Sequence, residues 1–124
     1  MPSTFVNNLR LEEIATGEAS GTWGTKTNTS LELIGEALGQ GTENLGSDAD
    51  TTITIADGAA DAARAMYLKI TSTSLSTTRT VTLAPNTVSK LWFIENATTG
   101  SQSINISQGS GANVTIANGK TALI

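Results

Sequence analysis

Beyond residue 50 the chain repeats one short theme, an apolar residue at every second position with Thr, Ser, Asn or Lys between. Ile53 and Ile55 begin it; Met66, Leu68 and Ile70 follow, then Val81 and Leu83, Ile104 and Ile106, and Val114 and Ile116. Successive side chains on a strand point to opposite faces, so each segment predicts a strand with one apolar and one wet face. Asp57-Gly58, Pro85-Asn86, Thr99-Gly100, Gly109-Ser110-Gly111 and Asn118-Gly119 supply turns between them. About six or seven strands at this spacing predict a mainly β fold, an antiparallel β-sandwich-like domain. One segment breaks the alternation. Leu91-Trp92-Phe93-Ile94 is apolar on both faces, which predicts a strand that is central or covered by a neighbouring subunit. Thr121-Ala122-Leu123-Ile124 reads as a strand cut in mid-course, so the natural polypeptide is expected to continue past Ile124.

The first part of the chain has another character. It holds 7 of the 11 acidic residues up to Asp48. That shift divides an N-terminal arm with a short helix, residues 1–47, from a β-domain, residues 48–124. Phe5, Leu9, Leu11 and Ile14 are spaced ambiguously among polar neighbours, and Gly17 and Gly21 interrupt either element. An extended segment that docks on something else is the expectation. Thr29-Ser30-Leu31-Glu32 matches a capping box, and Leu31, Ile34 and Leu38 then recur at helical steps until Gly39 and Gly41. A helix of about ten residues is predicted, too short to persist without packing partners. Its apolar stripe suits either its own β-domain or the same stripe on two symmetry mates. Trp23-Gly24 suits docking on another protein, or a Trp folded back on its own chain.

Absences narrow the chemistry. The chain has no His and no Cys, which removes the usual neutral-pH base, thiol nucleophiles, disulfides and most zinc sites. Glu12 and Glu13 are adjacent and cannot flank one sugar bond from a strand. Asp48, Asp50, Asp57 and Asp61 fit no calcium loop and read as turn carboxylates. No enzyme activity, cofactor or metal is expected. The net charge of −4 comes without a basic cluster, so no nucleic-acid partner is expected. No run of about eighteen apolar residues suggests a membrane span, and the opening Met1-Pro2-Ser3-Thr4 does not read as a secretion signal. Ser and Thr number 33 of 124, and with sparse charge they suit short strands rather than disorder.

Taken along its length, the chain resembles the N-terminal region of tail-fibre-like proteins of marine and cyanobacterial phages. The resemblance rests on Ser3-Thr4-Phe5-Val6-Asn7-Asn8-Leu9-Arg10-Leu11, on Gly17-Glu18-Ala19-Ser20-Gly21-Thr22-Trp23-Gly24 with Thr27-Asn28, and on Ala56-Asp57-Gly58 with Ala62 and Arg64. Val88-Ser89-Lys90-Leu91, Glu95-Asn96-Ala97-Thr98-Thr99-Gly100 and Asn118-Gly119-Lys120-Thr121 extend it over nearly the whole chain. The Trp-Gly element is its most specific part. The resemblance implies a virion structural protein made in the host cytoplasm and carried on the tail. It further implies a homotrimeric fibre whose N-terminus attaches to a tail tube, adaptor or baseplate component and whose distal end supports host recognition. A capsid decoration or head-fibre protein is the alternative, and a carbohydrate-binding β-module a more distant one. Phe5, Leu9, Leu11, Trp23, Leu31, Ile34, Leu38 and Trp92 are the candidate assembly residues.

Overall fold

A computed structural model describes residues 3–17 and 20–124; Met1, Pro2, Glu18 and Ala19, two of them in the motif before Trp23, lie outside the described residues. One helix, α1 (Trp23–Ala37), precedes eight strands. These are β1 (Gln40–Asn44), β2 (Thr51–Thr54), β3 (Tyr67–Thr71), β4 (Arg79–Ala84), β5 (Phe93–Asn96), β6 (Ile104–Ser107), β7 (Val114–Ile116) and β8 (Thr121–Leu123). Every expected strand is present; β1 was not foreseen, because Gln-Gly-Thr-Glu-Asn has no apolar alternation to announce it.

The strands do not pair as expected. They form two four-stranded mixed sheets, ordered β1-β3-β5-β8 and β2-β4-β6-β7. The pairs β1·β3, β3·β5, β2·β4 and β4·β6 are all parallel. From β1 to β6, consecutive strands therefore face each other across the core, and β1 to β4 each pair with the strand two further along. The chain coils in stacked rungs, and the fold is mixed α/β rather than an antiparallel sandwich. The cause lies in the connections. Segments expected to be hairpin turns, around Asp57-Gly58 and Pro85-Asn86, instead carry the chain across to the opposite sheet. Only the last two strands reverse, β7 pairing antiparallel with β6 and β8 with β5.

The inward rows close the core. Leu68 and Ile94 from the first sheet meet Ile53, Val81, Leu83, Ile104, Ile106 and Ile116 from the second, all 6 % exposed or less. Corners are tied by hydrogen bonds between rungs. Ser72 Oγ donates to the Leu45 carbonyl at 2.7 Å, and Thr99 N donates to the Ser72 carbonyl at 2.9 Å. Leu45 is 1 % exposed, so the compositional boundary near residue 48 falls inside the first rung, between β1 and β2. A short 3-10 turn over Ala62–Arg64 fills the interior beside β1. Glycine is required at position 41 because a Cβ there would lie 2.5 Å from the Ala62 carbonyl oxygen.

One buried cation organises the β2–β3 connection. Arg64 is fully buried, and its Nη2 donates to the carbonyls of Ala56 and Ala59 at 2.7 and 2.8 Å. Asp61 faces it at 3.5 Å and accepts the backbone N–H groups of Ala56 and Arg64. Burial pushes the guanidinium pKa down, while Asp61 and then Glu36 oppose that shift.

Candidate assembly surface

Helix α1 differs from the expected one at its start. It begins at Trp23, six residues before the foreseen cap, and Thr29 stands inside it with its hydroxyl donating to the Thr25 carbonyl at 3.0 Å. The extra turns are held from outside the helix. Lys26 Nζ donates to Glu12 Oε2 at 2.6 Å, which fastens the first turn to the arm. That contact, and a smaller one from Ser3, hold the Glu12 carboxyl below the ordinary glutamate range.

The helix packs inward through Leu33 and Ala37, 3 % and 5 % exposed. The predicted stripe is a different face. Leu31, Ile34 and Leu38 are 60 %, 38 % and 70 % exposed, and Trp23 is 66 % exposed. At 3.6 residues per turn these four lie within roughly 80° of one another, so they form one apolar ribbon beside the packed face. Leu38, the helix C-cap, keeps right-handed helical backbone and so continues that ribbon.

The arm folds against its own chain. Thr4 and Glu13 form an antiparallel bridge, and Asn7 closes the loop between them through Leu11 N–H, 2.9 Å, and the Leu11 carbonyl, 2.8 Å. Arg10 pairs with Asp57, Gly58 N donates to the Arg10 carbonyl at 2.8 Å, and Ser89 N donates to Asn8 Oδ1 at 2.9 Å. Phe5 rests on Gly58, where φ is +61° and a Cβ would meet the Phe5 ring at 2.7 Å. Phe5, Leu9 and Leu11 are thereby half-buried, while Val6, not among the expected residues, is 77 % exposed.

The two-faced segment 91–94 divides cleanly. Trp92 and Ile94 point inward; the Trp92 indole donates to the Ala63 carbonyl at 2.8 Å and is spent inside the core. Leu91 and Phe93 point outward, 49 % and 38 % exposed. Register places Phe93 between Tyr67 and Leu123, the latter 59 % exposed, in an outward row that begins at Gln40. The neighbouring row runs Thr42, Lys69, Glu95, Thr121. Tyr67 donates to Glu95 at 2.6 Å, which raises the Tyr67 pKa. Lys69 has no ion-pair partner among the described residues. This row escapes a sequence reading because its members lie far apart along the chain.

Two turn carboxylates are committed locally. Asp48 binds Arg79 at 2.9 Å and the Ser76 backbone, and Asp50 accepts Thr80 N–H. A cleft of about 380 Å³ has Leu83, Trp92, Ile106 and Val114 in its wall. Lys90 also lines it, with its ammonium donating to the Arg64 carbonyl at 2.7 Å and lying 4.7 Å over the Trp92 ring. Burial pushes that group down to about 8. No helix among the described residues is long and apolar enough to cross a membrane. Compared with known proteins, the chain matches no family model, no curated protein and no solved structure.

Proposed function

We propose that this chain is a virion structural protein without catalytic activity, the N-terminal part of a phage tail fibre, which attaches to the tail or baseplate and supports host recognition. The observation that carries the reading is the stacking of parallel rungs. Each rung contacts only its neighbours, a quasi-one-dimensional architecture that grows along one axis, as a fibre requires. Helix α1 supports it as well, packing on β1 through one face and leaving a second apolar ribbon for assembly. The resemblance of the arm, Trp23-Gly24 and the helix to tail-fibre openings is the reason this proposal names the tail, with capsid decoration as the alternative.

Immunogold electron microscopy with antibody raised against the purified chain tests this. Label confined to the tail of the particles that carry the gene is expected. Label spread over the head would transfer the protein to capsid decoration, and unlabelled particles would remove it from the virion.

A further inference from the structure

We propose that the cleft beside the C-terminal ends of β4 and β6 binds a small amphipathic anion, an apolar body carrying one carboxylate, with the Lys90 ammonium as its anchor. The site goes beyond the fibre reading and holds wherever the chain is carried.

Two connections make the walls. Val88 to Lys90 lead into β5, and Gln108 to Ala112 join β6 to β7. Gln108 Nε2 donates to the Val88 carbonyl at 2.9 Å, which ties one wall to the other. Ser107 Oγ accepts Gly109 N–H at 2.9 Å, and φ of +95° at Gly109 and +82° at Gly111 sets this turn in the region that glycine favours. The other wall is held by the arm, where Ser89 N donates to Asn8 Oδ1 at 2.9 Å. The cleft is therefore preformed. Its volume of about 380 Å³ falls within the roughly 300–1,000 Å³ of small-molecule sites.

The lining sets the chemistry. Leu83, Ile106, Val114 and Ile124 supply aliphatic surface, Ser107 and Gln108 a polar edge, and no carboxylate side chain lines the cleft. Lys90 is its cation, and among the described residues it has no ion-pair partner. An ammonium has three donors. Two of them go to the Arg64 and Ala65 carbonyls, at 2.7 and 3.3 Å, which leaves one for a guest. Burial lowers the Lys90 pKa to about 8; Asp61 opposes that shift and the Arg64 charge adds to it. A carboxylate in the cleft takes the third donor and compensates a charge that carbonyl dipoles and the Trp92 ring balance only in part.

The same residues turn other guests away. A cation meets Lys90. A sugar finds no aromatic platform, because Trp92 is 3 % exposed and Lys90 lies over its ring. Aliphatic walls around one buried cation fit an apolar carboxylate.

Calorimetric titration of the purified chain with octanoate, and with octan-1-ol as its uncharged counterpart, is the test, with methyl NMR to locate the ligand. Saturable octanoate binding at a single site is expected, with shifts concentrated on Leu83, Ile106 and Val114. Octan-1-ol, without the charged hydrogen bond, should bind about tenfold more weakly or worse. Lys90→Met keeps the long apolar stem and removes the cation. It should bring octanoate down to the octan-1-ol affinity and leave octan-1-ol unchanged, whereas Lys69→Met, outside the cleft, should alter neither. If Lys90→Met does not fold, the wild-type chain decides. Octanoate should then move the titration midpoint of the Lys90 ε-methylene resonance upward, because a bound carboxylate favours the ammonium, and octan-1-ol should leave it in place. Absence of saturable octanoate binding overturns the proposal. So do equal wild-type affinities for the two ligands, shifts lying away from the cleft, or a hexose that binds there in place of octanoate.

Discussion

The two sheets obey different rules. In the second sheet, inward positions from Ile53 to Ile116 are almost entirely aliphatic, and outward ones form rows of Thr52, Thr82 and Ser107, and of Thr80, Asn105 and Thr115. The first sheet mixes both sides. Its interior includes Gly41 and the fully buried Asn96, and its exterior carries Tyr67, Phe93 and Leu123. A regular sheet needs nothing more than its own core and water. An irregular one has side chains whose positions answer to something else: a 3-10 turn pressed against β1, a corner, or a neighbouring molecule. Departures from local pattern concentrate where a fold is constrained or used.

The sharpest way to break the contrast is at Trp92, where the first sheet is anchored to the interior. Trp92→Ala removes a buried indole and leaves the Ala63 carbonyl without its donor. A loss of about 3–5 kcal/mol is expected, measured by urea unfolding, against about 0.5–1.5 kcal/mol for Ile104→Val in the regular sheet. Equal losses would mean that the two sheets are not differently built.

Asn96 comes next. Its Nδ2 donates to the Gln102 and Ile116 carbonyls, both at 2.9 Å, and its Oδ1 accepts the Thr98 N–H and hydroxyl. The amide therefore joins the first sheet to the last strand of the second at one corner. Asn96→Leu keeps the branched outline but orphans those groups, at about 1–3 kcal/mol for each buried one left unpaired. A melting temperature within a degree of wild type would show that water replaces the amide there.

The same contrast explains what the sequence could reveal. Period-2 alternation is set by burial on one side, so the strands of the second sheet were legible, as was the helix with its stripe. Which strand pairs with which is set by where the connections lead, and Asp57-Gly58 reads alike whether it closes a hairpin or begins a crossing. The rungs repeat every 25–30 residues or so, a solenoid period, yet outward pairs on the first sheet differ in type, as in Gln40, Tyr67 and Phe93 or Thr42, Lys69 and Glu95. What recurs is the backbone and the inward aliphatic positions, not a sequence motif. The candidate surface was half legible. Leu31, Ile34 and Leu38 are legible from helical spacing and Trp23 from its Trp-Gly context, whereas Tyr67, Phe93 and Leu123 meet only through register. Trp92 stands out within the two-faced segment 91–94, and the strand's parity turns it inward.

A smaller effect separates the outward rows. Tyr67→Phe removes the hydroxyl bonded to Glu95, and Thr115→Val removes the one that donates to Asn105 at 2.6 Å. Each costs about 0.5–1.5 kcal/mol at most in the single chain. Urea unfolding of the two variants measures this, and a clearly larger loss for Tyr67→Phe would show that the first sheet's outward hydroxyl is the more tightly held.

The smallest effect lies at the corner between β1 and β2, which serves both sheets equally. Asp48 accepts from Arg79 and from the backbone and hydroxyl of Ser76, joining the first rung's connection to the start of β4. These contacts, Arg79 first and then Ser76, hold its carboxyl well below the ordinary aspartate range. A carboxylate with a depressed folded pKa adds stability that is present above its unfolded pKa and fades as pH falls through the folded one. The group is solvent-accessible, so screening keeps the contribution small. Asp48→Asn should therefore melt slightly below wild type at pH 7 in low salt, with the gap closing as pH falls from about 4 downward and as salt is added. Thermal melts of both proteins at pH 7 and pH 2.5 measure it. A gap that persists unchanged at pH 2.5 would mean that Asp48 acts through shape and hydrogen bonding alone, and that its charge does nothing to hold the rungs together.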